Sequence, residues 1–312
     1  MNFRVIFLKK KHIYFIIFIL IIFIFLTVLL ISKNSSAAFN NVSDNKVLKA
    51  DFNGDGKEEE LYIKKDGTKY ILELKCKDKI YPIEAESKQS PIGFYSPYWP
   101  MRVTLIDVSR DKIPEIFVQA SNKDTPIQHV FFWNNEKFEN IFSNSNNILG
   151  FIDCKNNKTP KVISGRLQDA GIWMSNYIFL NYKFKNYNYE TTNTFMGKDT
   201  IFTFIKFIQS LPQSEEYTPK EIFSSNIPGS SLSVIGKLSG DNNTYVFQDA
   251  IFMENRCDKN GNVSEIIWTL NFRGTSNKDK NIVKNYTLNV NLIPDENSKE
   301  KNYFKIISIN LK

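Results

Sequence analysis

Three aspartate-led segments recur in the first half of the chain, and they constrain its fold more than any other feature. The first runs Asp51-Phe52-Asn53-Gly54-Asp55-Gly56-Lys57-Glu58-Glu59-Glu60-Leu61. The second begins at Asp107 and aligns with it at Asp51/Asp107, Asp55/Asp111 and Glu59/Glu115. The third begins at Asp153 and carries Pro160 where the second carries Pro114. The second and third share an apolar lead-in, Leu105-Ile106 and Phe151-Ile152, and every copy runs on into apolar residues that read as a strand. A unit repeated in order along a chain is one supersecondary element used several times.

The surrounding pattern is β. Glu60 to Lys64 alternates, Lys65-Asp66-Gly67-Thr68 supplies a hairpin turn, and Lys69 to Lys75 returns. His129–Trp133 and Lys137–Phe142 read as a second hairpin around Asn134-Asn135-Glu136, and Ser175 to Thr192 as further strands. Tyr and Phe two residues apart suit a half-buried sheet. Near Phe195 the character changes. Asp199 is positioned to cap a helix reaching about Leu211, with Ile201, Phe202, Ile205 and Ile208 on one face, and Pro212 ends it. Thr218-Pro219-Lys220-Glu221 carries the signature of a short second helix. Strands are then expected at about 231–238, 244–254, 263–273, 284–293 and 303–311. The expected fold is mostly β, with a repeat domain at 47–195 and an α+β domain at 198–312 made of a helix pair and an antiparallel meander.

The chain begins differently. Ile13 to Ile31 contains no charged residue and is long enough for a hydrocarbon core of about 30 Å. Arg4, Lys9, Lys10 and Lys11 precede it and only Lys33 closely follows, so the positive-inside bias predicts a single-pass membrane anchor at 13–32. Residues 1–12 are then a cytoplasmic basic tail, 33–46 a linker, and the bulk of the chain is extracytoplasmic. A signal peptide cleaved near Ala38 is the alternative, although secretory apolar regions run only about 7–15 residues. No Cys follows the segment before Cys76, which argues against a lipid-modified anchor. The net charge of +7 includes those four N-terminal cations; without them 36 basic residues face 33 acidic, too even a balance for nucleic acid.

The first aspartate segment has the chemistry of a calcium loop. Calcium takes six to eight oxygens at about 2.3–2.6 Å. Asp51, Asn53 and Asp55 alternate, Lys57 offers its carbonyl, Glu59 closes the set, and Gly54 and Gly56 allow the tight backbone. An EF-hand is a poor alternative, because its twelfth position is Tyr62, in an expected strand. The alternative is an ion-free Asn-Gly-Asp-Gly turn. Asp107, Asp111 and Glu115 form a second candidate set with Lys112 beside it, and the third copy is too poor in acids to hold an ion.

The run from Asp51 to Gly56, followed by Glu59 and a strand, resembles the FG-GAP or VCBS-type repeat of bacterial surface proteins, which also builds integrin-α-like β-propellers. The resemblance covers about 47–195 and implies four-stranded blades with calcium between strands, here an incomplete propeller or a compact domain built from blades, with a closed ring as the alternative. The later copies depart from it: Ser109, Arg110 and Lys112 replace Asn, Gly and Gly, and Lys155, Asn157 and Lys161 strip acidity from the third. The C-terminal part is similar to cystatin-like or NTF2-like folds in pattern only.

Catalytic signatures are sparse. The histidines are His12 and His129, and His129 opens an apolar strand, which suits a structural role. No Gly-x-Ser-x-Gly elbow, His-Glu-x-x-His helix or phosphate loop occurs. The expectation is a membrane-anchored binding protein without catalysis, with an unassigned protein or glycan partner. The alternative is an anchored envelope glycan hydrolase using loop carboxylates. Pro91–Pro100 is an aromatic loop that either recognises a ligand or folds back on the sheet; Leu167–Met174, with Trp173, is a weaker recognition candidate. Of Cys76, Cys154 and Cys257, the first two share a domain and are the expected pair if any disulfide forms, with three buried thiols as the alternative.

Overall fold

The computed structural model describes residues 47–85, 91–154, 160–187, 194–212, 218–295, 298 and 301–312, with Asn40–Asn41 and a few positions of the N-terminal segment. Met1–Ala38 forms one unit and Phe39–Lys312 another. The expected span Ile13–Ile31 and the linker lie almost wholly outside the described residues. Among those described, no helix is long and apolar enough to cross a membrane.

The described residues of Phe39–Lys312 are mostly antiparallel β, in three sheets, none closed into a barrel. A short strand, β1 (Asn40–Asn41), comes first. The three aspartate segments then occupy one topological position each. The first joins β2 (Val47–Ala50) to β3 (Glu59–Asp66), and β4 (Lys69–Cys76) and β5 (Lys79–Ile83) complete a four-stranded meander. The second joins β6 (Arg102–Ile106) to β7 (Glu115–Asn122), followed by β8 (Thr125–Trp133) and β9 (Phe138–Asn144), with β1 on the outer edge of β6. The third joins β10 (Ile148–Ile152) to β11 (Lys161–Gln168), followed by β12 (Gly171–Leu180) and β13 (Lys183–Asn186). The register across each loop is the same: Ala50 faces Glu59, Ile106 faces Glu115, and Ile152 faces Lys161.

The third meander continues into a larger sheet. β10 pairs in parallel with β14 (Asn243–Cys257), which leads through β15 (Val263–Ser276) and β16 (Val283–Pro294) to β17 (Phe304–Leu311). One eight-stranded sheet therefore contains strands from both sides of residue 195.

Period-two alternation stacks these sheets, because successive side chains of a strand point to opposite faces. Ile116 and Val118 of β7 join Leu61, Leu72 and Leu74 in a core shared with the first meander. Phe117, between them, joins Leu149, Phe151, Val162 and Ile251 in a core shared with the eight-stranded sheet. The other face of that sheet carries Ile148, Ile163, Ala250, Phe252, Trp268 and Leu288 against helix α1 (Lys198–Ser210). The aromatic loop folds back on the protein. Gly93 O accepts from Tyr70 N of β4, Tyr95 N donates to Thr68 O in the turn before β4, and Phe94 N donates to Ser121 O of β7. Trp99 is buried and its indole N–H donates to Asp249, which also pairs with Arg102 out of water.

Four local expectations are corrected. The strand expected at 231–238 is helix α2 (Gly229–Gly240): Ser231, Val234, Ile235 and Leu238 face the core at helical spacing, and that pattern outweighs the β-branched residues. The short helix after Thr218 is a single 3-10 turn, Lys220–Ile222. Asp199 sits within the first turn of α1 instead of capping it, accepting from Thr200 N and Asn302 N, while Gly197 takes the cap position. The disulfide joins Cys154 to Cys257, and Cys76 is free. The parallel pairing of β10 with β14 brings Cys154 and Cys257 to a Cα separation of 5.6 Å, within bonding reach.

Candidate metal centre

The first two loops are the same object built from different residues. In the first, Asp51 Oδ1 accepts from Gly54 N at 2.7 Å and Oδ2 from Gly56 N at 2.8 Å. In the second, Asp107 Oδ1 accepts from Arg110 N at 2.6 Å and Oδ2 from Lys112 N at 3.0 Å. Asp55 N donates to Asn53 Oδ1 and Lys57 N to Asp55 Oδ1; Asp111 N donates to Ser109 Oγ and Ile113 N to Asp111 Oδ1. Phe52 N donates to Glu59 Oε2 at 2.9 Å, and Val108 N to Glu115 Oε2 at 2.7 Å. Backbone φ is positive at Gly54 and Gly56 and equally at Arg110 and Lys112, where a β-carbon is strained.

The loops differ in where their acids point. Asp107, Asp111 and Glu115 each bring one carboxylate oxygen to within 4.8 Å of the others. Among the described residues no other trio of acids, cysteines or histidines meets that spacing, the first loop's acids included. In the first loop Asn53 turns its amide nitrogen to Glu59 Oε1 at 3.0 Å and to Cys76 Sγ at 3.1 Å. Lys77 draws Asp55 Oδ2 outward at 3.5 Å. Lys57 contributes its N–H to Asp55. Of the predicted set Asp51, Asn53, Asp55, Lys57 and Glu59, the loop thus holds all five in one turn but satisfies its acids with its own donors.

Electrostatics separate the loops further. Burial pushes the Glu115 carboxyl up to about 7, against the stabilising Val108 N–H, with Asp107 and Asp111 adding repulsion. Glu59 is also raised by burial, against the Phe52 N–H. A divalent cation beside Asp107, Asp111 and Glu115 would relieve that repulsion, and the oxygen spacing suits calcium at 2.3–2.6 Å from each ligand. The converging carboxylates thus lie in the second loop, although the first matches the sequence pattern better.

The third loop is held from outside. Asp153 N and Cys154 N both donate to Glu254 Oε2, at 2.5 and 2.6 Å, from β14. Arg110 of the second loop reaches across to Asp153 Oδ2. Its residues 155–159 lie outside the described set. Neither Glu254 nor Arg110 was foreseeable as a loop partner; the one sequence hint is that Lys161 stands where an acid is due.

The remaining candidates are placed as follows. His129 is buried in β8, its Nδ1 2.8 Å from Ser143 Oγ, and burial lowers its pKa to about 4, so it is neutral. Trp173 is 64% exposed on β12, opposite Arg166. No family model matches the chain, and no curated protein matches it significantly.

Proposed function

We propose that the chain is a single-pass bacterial envelope protein whose extracytoplasmic part binds a protein or glycan partner without catalysis. In this reading the three meanders are FG-GAP/VCBS-type blades in an open array, and calcium stiffens them. The observation that carries it is the shared hydrogen-bond scheme of the Asp51 and Asp107 loops, at the same junction of the same meander and in the same register. The Cys154–Cys257 disulfide supports an oxidising compartment, and the basic residues before Ile13 support an inward N-terminus. Asp107, Asp111 and Glu115 would hold the ion, whose chemistry there is charge neutralisation. Asp107 and Glu115 already anchor backbone N–H groups, which suits a structural role.

The test is thermal unfolding of residues 39–312 in millimolar calcium and in chelator. A higher Tm in calcium that Glu115→Gln abolishes is the expected result. An identical Tm in both buffers would remove calcium from the proposal.

A further inference from the structure

The third copy lacks the acid that closes the other two loops, yet the N–H after its lead aspartate still meets a carboxylate. Glu59 and Glu115 each open the second strand of their meander, and each accepts the N–H of the residue after the lead aspartate, Phe52 or Val108. The equivalent N–H in the third copy belongs to Cys154, and the equivalent of the glutamate is Lys161, opposite Ile152 as Glu59 is opposite Ala50. Lys161 turns its ammonium toward the Tyr187 ring, 5.9 Å from its centre. Cys154 N donates to Glu254 Oε2 instead, and Asp153 N shares that oxygen. We propose that Glu254 is a positioning residue which supplies, from β14, the carboxylate that the third copy lacks at position 161.

The fold makes this substitution possible. Phe151 of β10 is in register with Met253, so the next residue of β14 lies beside the start of the loop. Glu254 is raised by burial and held down chiefly by those two N–H groups, the behaviour of a carboxylate committed to backbone donors. The Cys154–Cys257 disulfide fastens the same two segments, and Arg110 occupies Asp153 Oδ2. The C-terminal sheet thereby closes the last repeat, as terminal units close other repeat arrays. The inference rests on reading the three loops as copies of one unit.

Relocating the carboxylate tests it. Thermal unfolding under oxidising conditions would compare the wild type, Glu254→Gln, Lys161→Glu and the double variant, each with calcium and with chelator. Glu254→Gln is expected to lower Tm by about 3–8 °C. Lys161→Glu alone is expected to lower it too, since two carboxylates then crowd one pair of donors. Together they should recover at least half of the Glu254→Gln loss, a reversal of sign that no generic packing role produces. A double variant no more stable than Glu254→Gln overturns the inference. The calcium shift of the wild type in the same samples reports on the proposed ion independently of this rescue.

Discussion

The Asp51 and Asp107 loops share a backbone and part company in side chains. The first places glycine at both positive-φ positions and so relaxes into the shape; the second forces Arg110 and Lys112 into it. Both loops spend acids on their own N–H groups, but the strained loop is the one whose acids converge, while in the relaxed one Asn53 takes Glu59 and Lys77 pairs with Asp55. A good motif therefore marks an easy loop, whereas the convergence of charge depends on what the neighbours pull outward. Strain kept at Arg110 is partly offset by its reach to Asp153.

The sharpest break between the two should come from pH. In chelator, Glu115 keeps its proton in the folded chain between its ordinary 4.5 and about 7. Its contribution is therefore present below about 4.5 and lost as pH rises through 7, roughly 3 kcal/mol in all. His129, lowered from 6.5 to about 4, has the opposite sign. The unfolded chain takes its proton first, and stability falls by roughly 3 kcal/mol as pH drops from 6.5 toward 4. The two slopes offset each other in the wild type. Glu115→Gln should unmask a stability that rises with pH across 4–6.5, and His129→Gln one that falls across 4.5–7, by urea unfolding. A Glu115→Gln curve parallel to the wild type would show that the carboxyl is not perturbed.

Next in size is the backbone. Gly54→Ala should cost about 2 kcal/mol, because it combines positive φ with a new β-carbon 2.9 Å from Ile113 Cδ1. Gly56→Ala meets nothing within 4 Å and should cost only the conformational part, about 1 kcal/mol. Lys112→Gly, at the matching position of the second loop, should stabilise by about 1 kcal/mol in chelator denaturation. If it destabilises instead, the two loops do not share one backbone problem.

The smallest expected effect is on ion affinity. If the first loop takes calcium as well, Lys77→Gln should free Asp55 and tighten that binding by roughly two- to fivefold, a surface ion pair being worth 0–1 kcal/mol. Calorimetric titration reads it, and an unchanged affinity would mean that Lys77 does not govern the first loop.

Legibility in the sequence followed distance along the chain. The hairpins around Gly67 and Asn135 and the loop at Asp51 declared themselves because turn and strand signals are local. Residues 231–238 misled because Leu232, Val234 and their serines alternate while also fitting a helix, and only packing against the sheet decides. Glu254, Cys257 and Asp249 were invisible as partners of the repeats. The first two meet Asp153 and Cys154 through a parallel strand pair, and Asp249 meets Arg102 across two stacked sheets; no local pattern encodes either contact.

That same pair sets an order of events during synthesis. β10 emerges from the ribosome long before β14, its neighbour at the middle of the widest sheet. Until then its outer edge offers bare N–H and C=O groups to any extended chain nearby. Pairing strands so far apart in sequence is slow, so the nascent protein passes through a stage at which an interior strand behaves as an edge. A binder of extended peptides added during translation should therefore trap chains halted before Asn243 at β10, a site that β14 closes in the completed sheet.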